Sequence, residues 1–154
     1  VCRLERQHGR DQQRGGGGFG GFPGFGGFGG FNVPPEGLAE YYRQLLGLKY
    51  RDGDGPPADG VDEADWLVLV TPAGQRVLAF QRVRELPRST WPSTEVPMQV
   101  HVDFAVTSHE ALDRVLHQAL ALGGTLLLDR RHDGHEPLVV IGDPAGHPFC
   151  ILAR

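Results

Sequence analysis

Two short turns, Thr71-Pro-Ala-Gly74 and Asp143-Pro-Ala-Gly146, echo one another along the chain and constrain its fold more than any other feature. Proline fixes the entry angle of such a turn, and glycine admits the left-handed conformation that closes it. Each turn lies between two runs that read as strands: residues 66–70 and 76–83 around the first, 138–141 and 149–152 around the second. Upstream of each hairpin stands a helical pattern. Residues 36–46 follow Pro34 and Pro35, carry Leu38, Tyr41, Tyr42, Leu45 and Leu46 as an apolar stripe, and stop at Gly47. Residues 108–122 put Leu112, Val115, Leu116, Ala119 and Leu122 on one face and stop at Gly123, with Thr107 and Glu110 spaced as a capping box. Short strands are expected at 48–51 and 125–128. The order is strand, helix and three strands, written twice. The predicted fold class is therefore α+β, with two βαβββ modules at about 32–84 and 98–154, the first strand of the first module being degenerate.

That degenerate strand follows from what precedes it. Between Gly15 and Phe31 the chain is almost only glycine and phenylalanine, with Phe19, Phe22, Phe25, Phe28 and Phe31 three residues apart. Neither a helix nor a pleated strand has that period, and glycine makes ordering costly in backbone entropy. A flexible segment over residues 1–31, followed by a folded domain over 32–154, is the expected organisation. An adhesive tail and an edge strand over 27–33 are the alternatives.

The 154 residues suffice for one domain with a sizeable core. A net charge of −4 without a clustered basic face gives no nucleic-acid surface. The longest apolar run, near Leu116–Leu128, is broken by Gln118, Gly123 and Gly124, so no membrane span is expected. The opening residues lack a signal-sequence pattern, which makes a cytoplasmic location the expectation. Cys2 and Cys150 do not form a disulfide framework.

The chemistry concentrates in two segments. Residues 98–106 read as a strand whose alternation sends Val100, Val102, Phe104 and Val106 to one face and His101, Asp103 and Ala105 to the other. One face is core; the opposite face offers a titratable nitrogen, as a small-ligand cavity would need. His101 can act as ligand or acid–base group, as a hydrogen-bonding group for a bound molecule, or as plain structure. The second segment, residues 143–152, brings His147, read as a turn cap, and Cys150, read as a small buried hydrophobe or a zinc ligand. Asp103 is a candidate to orient His101. Trp91 serves either as an aromatic cleft wall or as an anchor of the crossover between modules. Arg82 and Arg84 read as surface charges. No phosphate-cradling loop and no nucleophile elbow are present.

Taken in order, Tyr42-Arg-Gln-Leu-Leu-Gly-Leu48, Leu78-Ala-Phe-Gln-Arg-Val83, Trp91-Pro92, His101-Val-Asp103 and Asp143-Pro-Ala-Gly-His-Pro-Phe-Cys150 resemble the glyoxalase-like domains of the vicinal oxygen chelate superfamily, over roughly residues 34–152. The resemblance implies two modules whose curved mixed sheets surround a shared cleft. It also implies, in metal-dependent members, ligands from the first and last strands of each module, histidine or glutamine first and glutamate last. On that pattern His101 matches the opening ligand of the second module, and Cys150 stands where its glutamate would be. Gln81 lies near the end of the first module's last strand. The first module's opening position falls within 27–33, which offers only glycine, phenylalanine, Asn32 and Val33.

The expected function is binding of a small organic molecule in the cleft by His101, Gln81, Trp91, Asp103 and Cys150, with no cofactor. The alternative is a metal-dependent lyase, isomerase or dioxygenase-like enzyme using a divalent ion such as zinc, manganese or nickel, with His101 as a ligand. The resemblance further implies a homodimer. The expected core comprises Leu38, Leu45, Trp66, Val68, Phe80, Val102, Phe104, Leu112, Val115, Leu116, Leu122, Val140 and Phe149.

Overall fold

The computed structural model describes residues 35–55 and 65–154. The expectations for residues 1–31, for a strand over 27–33 and for Cys2 lie outside the described residues. Two helices and two sheets make an α+β fold: α1 (Pro35–Leu46), β1 (Lys49–Tyr50), β2 (Trp66–Val70), β3 (Arg76–Gln81), β4 (Asp103–Val106), α2 (His109–Ala121), β5 (Thr125–Arg130), β6 (Leu138–Gly142) and β7 (Pro148–Ala153). The first sheet is antiparallel in the order β1-β2-β3. The second is mixed, in the order β4-β7-β6-β5, with β4 parallel to β7. That parallel pairing requires a crossover, which α2 and the following strands supply.

The two echoing turns have the same hydrogen bonds. In the first, Gly74 N–H donates to the Thr71 carbonyl (2.8 Å), Thr71 N–H to the Gln75 carbonyl (2.8 Å), and Gln75 N–H to Thr71 Oγ1 (3.1 Å). In the second, Gly146 N–H donates to the Asp143 carbonyl (2.8 Å), Asp143 N–H to the His147 carbonyl (3.0 Å), and His147 N–H to Asp143 Oδ1 (2.9 Å). Both glycines take positive φ, +86° and +91°, which explains their place in the motif.

One core lies between the helices and the sheets. Tyr41, Tyr42 and Leu45 of α1 and Leu112, Leu116 and Ala119 of α2 pack on Leu69, Val139, Ile141, Phe149 and Ile151. Burying a leucine-sized side chain contributes roughly 1.5–3 kcal/mol, so these stripes hold the helices in place. The Tyr42 ring lies 5.8 Å from Phe80 of the first sheet and 5.8 Å from Phe149 of the second, centroid to centroid. α1 thus touches both sheets.

Three expectations are corrected. The strand expected over 98–106 shortens to Asp103–Val106. Cys150 N–H donates to the Val102 carbonyl, but two residues earlier the facing position on β7 is Pro148, which has no N–H to give to Val100. The ladder stops there. Trp66, expected in the core, is 50% exposed, because it stands at the end of β2 opposite the exposed Gln81, on the face away from the helices. The N-cap of α2 is Ser108 rather than Thr107: its Oγ accepts the Ala111 N–H at 3.1 Å. Of the remaining expected core residues, Leu45, Val68, Val102, Leu112, Leu116, Val140 and Phe149 are buried; Leu38, Phe80, Phe104, Val115 and Leu122 are half-buried.

Candidate functional site

The register of β4 against β7 sets Asp103 opposite Cys150, so the two side chains share a sheet face. His101 lies two residues upstream of Asp103, on the same side. Its Nε2 is 2.8 Å from Asp103 Oδ1, and its Nδ1 is 3.2 Å from Met98 Sδ. Both partners are hydrogen-bond acceptors and a neutral imidazole donates from one nitrogen only, so Asp103, the stronger acceptor, is the partner that orients the ring. Ligand atoms of His101, Asp103 and Cys150 all lie within 4.8 Å of one another. His101 and Asp103 are 38% and 50% exposed at the side chain, whereas Cys150 is buried. Burial first, and the Asp103 carboxylate second, push the Cys150 thiol up to about 11. An uncharged thiol in an apolar setting is a poor nucleophile, which argues against Cys150 acting alone.

Asp103 also borders a second feature. A cavity of about 260 Å³ runs beside β4, lined by Leu45 and Leu46 of α1, Asp103 to Val106, Val115 of α2 and Ile151 of β7. Its walls are apolar apart from Asp103.

Of the residues expected at the site, the structure brings His101, Asp103 and Cys150 together. Gln81 ends β3 in the other sheet, exposed and paired in register with Trp66. Trp91 is half-buried in the crossover, where its backbone N–H donates to Ser89 Oγ at 3.2 Å and a cis peptide bond joins it to Pro92. The crossover also reaches the second turn, since the Arg88 side chain fills the space where a side chain at Gly146 would stand.

A buried polar group was not foreseen. Asp143, 1% exposed, accepts from the Tyr42 hydroxyl (Oδ2, 2.9 Å) and lies 3.0 Å from His147 Nδ1. The sequence marks Asp143 and His147 as turn residues, and the structure agrees. Tyr42, read only as part of an apolar stripe, is the partner that no local pattern could supply. Neighbouring Tyr41 is also affected: burial and then the Asp143 charge push its hydroxyl above its ordinary range.

The donor set bears on the metal that the fold's resemblance implies. One imidazole, one carboxylate and one thiol do not fit a hard ion that wants six or more oxygens. They fit a borderline ion that accepts nitrogen, oxygen and sulfur in four-coordinate geometry.

The model of the glyoxalase-like domain matches residues 33–152. No curated protein matches the chain. Among solved structures, a glyoxalase/bleomycin resistance protein/dioxygenase family enzyme from Burkholderia phytofirmans is 16% identical, with TM-score 0.52, covering 79% of this chain and 91% of that one. A putative glyoxalase from Bacillus halodurans is 17% identical, with TM-score 0.53 and coverage of 77% and 86%. The fosfomycin resistance protein FosX from Listeria monocytogenes is 16% identical, with TM-score 0.52 and coverage of 75% and 79%. At these identities the likeness speaks to fold, and it agrees with the two-helix, two-sheet architecture. Family match and architecture together place this chain in the glyoxalase-like domain family of the vicinal oxygen chelate superfamily.

Proposed function

We propose that the protein binds a small organic molecule that is apolar over most of its surface and carries one hydroxyl or amino group. The observation that supports this is the double position of Asp103. It belongs to the polar cluster with His101 and Cys150, and it is also the one charged residue lining the apolar cavity beside β4. Apolar walls with a single fixed acceptor select for shape and for one donor group. A volume near 260 Å³ is at the small end for ligand pockets, which favours a molecule of one ring. Gln81 and Trp91 stay candidates for a wider contact surface. The same reading takes the working form as a homodimer, in keeping with the half-exposed leucines 120, 126 and 127 on α2 and the edge strand β5. Among the described residues no helix is long and apolar enough to cross a membrane.

The test is a melting screen of chelator-treated protein against substituted phenols and benzylamines. A saturating ligand should raise the melting temperature by several degrees, because stabilisation reaches about 2.7 kcal/mol at one hundred times Kd. The shift should shrink in Asp103→Asn and vanish in Val115→Trp, which fills the cavity. A screen in which no compound shifts the melting point, or in which these variants respond as the parent does, would sink the reading. Sedimentation at micromolar concentration showing monomer alone would remove the dimer.

A further inference from the structure

We infer that this chain carries its own occupant for the cavity beside β4: the Phe28 ring, brought there by the glycine/phenylalanine tract along the open edge of that strand. The inference shares the cavity of the reading above but does not require an outside molecule to bind there.

The edge comes first. β4 borders only β7, so its other side is paired with no strand among the described residues. The Val102 and Val106 carbonyls accept from the N–H groups of Cys150 and Arg154, at 2.9 Å each. Backbone groups alternate sides along a strand, so the N–H and C=O of Asp103 and Ala105 point away from β7. Such a row of donors and acceptors is a template for an added strand.

The cavity follows the same edge. Asp103, Phe104, Ala105 and Val106 all line it. Consecutive strand residues point to opposite faces, so four in a row reach one space only if it runs along the strand's free side. Phe104, Val106 and Val115 pack against the core yet stay half-buried, because the core is open at that side. A cavity of about 260 Å³ has room for one ring, since an apolar cavity of about 150 Å³ takes up benzene.

The tract fits by composition and by reach. Gly26, Gly27, Gly29 and Gly30 flank Phe28, and glycine lets one backbone approach another closely. Residues three apart on a strand face opposite ways, so Phe25 and Phe31 turn from the face that Phe28 presents. α1 rises about 17 Å from Pro35 to Leu46, which borders the cavity. Phe31, four residues before Pro35, reaches roughly 13 Å when extended; Phe28, seven before it, reaches roughly 23 Å. Phe28 is therefore the first phenylalanine of the tract able to run back along α1 and enter. Ordering so much glycine costs backbone entropy, which keeps the contact reversible. A tract that holds the cavity about nine-tenths of the time weakens an outside one-ring ligand about tenfold. It acts as a tethered competitor.

The experiment is fluorine NMR of the full chain grown with 4-fluorophenylalanine, which labels eight positions. Besides Phe80, Phe104 and Phe149, one tract resonance should stand away from its position in urea and respond weakly to exchange of H2O for D2O. Phe28→Ala should remove it. Val115→Trp, which fills the cavity, should return it to the urea position. Ala105→Pro deletes an edge N–H that β7 does not use and leaves the cavity unfilled, and it should also release the ring. The resonance of the buried Phe149 reports folding in each variant. All five tract rings at their urea positions would overturn the proposal. So would a protected resonance that survives Phe28→Ala, or one that persists in both Val115→Trp and Ala105→Pro. Added phenol separates this proposal from the reading above. Release of the ring by phenol, with about tenfold tighter phenol binding in Phe28→Ala, supports both. A protected ring that no phenol displaces supports the tract and counts against the outside ligand.

Discussion

Tyr42 donates its hydroxyl to Asp143 at 2.9 Å across 101 residues of chain, and so fastens α1 to the turn before β7. The carboxylate it meets is almost fully buried, and His147 Nδ1 lies 3.0 Å from the same oxygen. A buried carboxylate is tolerated only when its oxygens are satisfied. The link therefore works as a clasp between the two halves.

Tyr42→Phe removes one donor from that carboxylate while keeping the ring among Phe80, Phe104 and Phe149. The expected cost is about 1–3 kcal/mol. A double-mutant cycle with His147→Ala, followed by urea unfolding, should show coupling well above the error of the method. Additive losses would mean that the two donors act independently.

Leu116 is 2% exposed at the centre of the α2 stripe. Leu116→Ala should cost on the order of 2–5 kcal/mol. A loss below about 0.5 kcal/mol in chemical unfolding would show that the surroundings collapse around the smaller side chain.

Cys150 should react slowly. With a thiol pushed up to about 11 and a buried sulfur, native Cys2→Ser protein at pH 8 should resist a disulfide reagent that labels the urea-unfolded chain at once. Equal rates in the two states would contradict the burial.

Acid stability has a local contribution from Glu40, whose carboxyl is held down to about 2, chiefly by hydrogen bonds from Arg43. Since the folded value lies below the ordinary 4.5, the stabilisation is complete above about 4.5 and is lost as pH falls through about 2. At this degree of exposure it amounts to about half a kcal/mol or less. Glu40→Gln should lower the urea midpoint slightly at neutral pH, by an amount within that bound, and the difference from the parent should close as pH falls toward 2.

Much of the fold was legible because it is local. The Pro-Ala-Gly turns, the two helical stripes and the glycines that end the helices are each encoded within a dozen residues. The grouping at the candidate site was legible in part. His101, Asp103 and Cys150 were recognisable through alternation and through their place in the module. What the sequence could not show is long-range: which α1 residue meets Asp143, and where β4 begins. The second depends on Pro148, a residue on another strand whose missing donor cuts the ladder short. Trp66 was misplaced for a related reason, since a strand's apolar pattern does not say which of its ends is left uncovered.

Pro148 has a mechanical consequence. Asp103 and Cys150 ride on paired strands and move only as the sheet moves. His101 is joined to them from the far side of the last ladder bond, so it travels with the segment that connects the modules. A hinge at Val102 would change the spacing between imidazole and sulfur while leaving every sheet hydrogen bond intact. Two of the three groups are stationary and one is steerable.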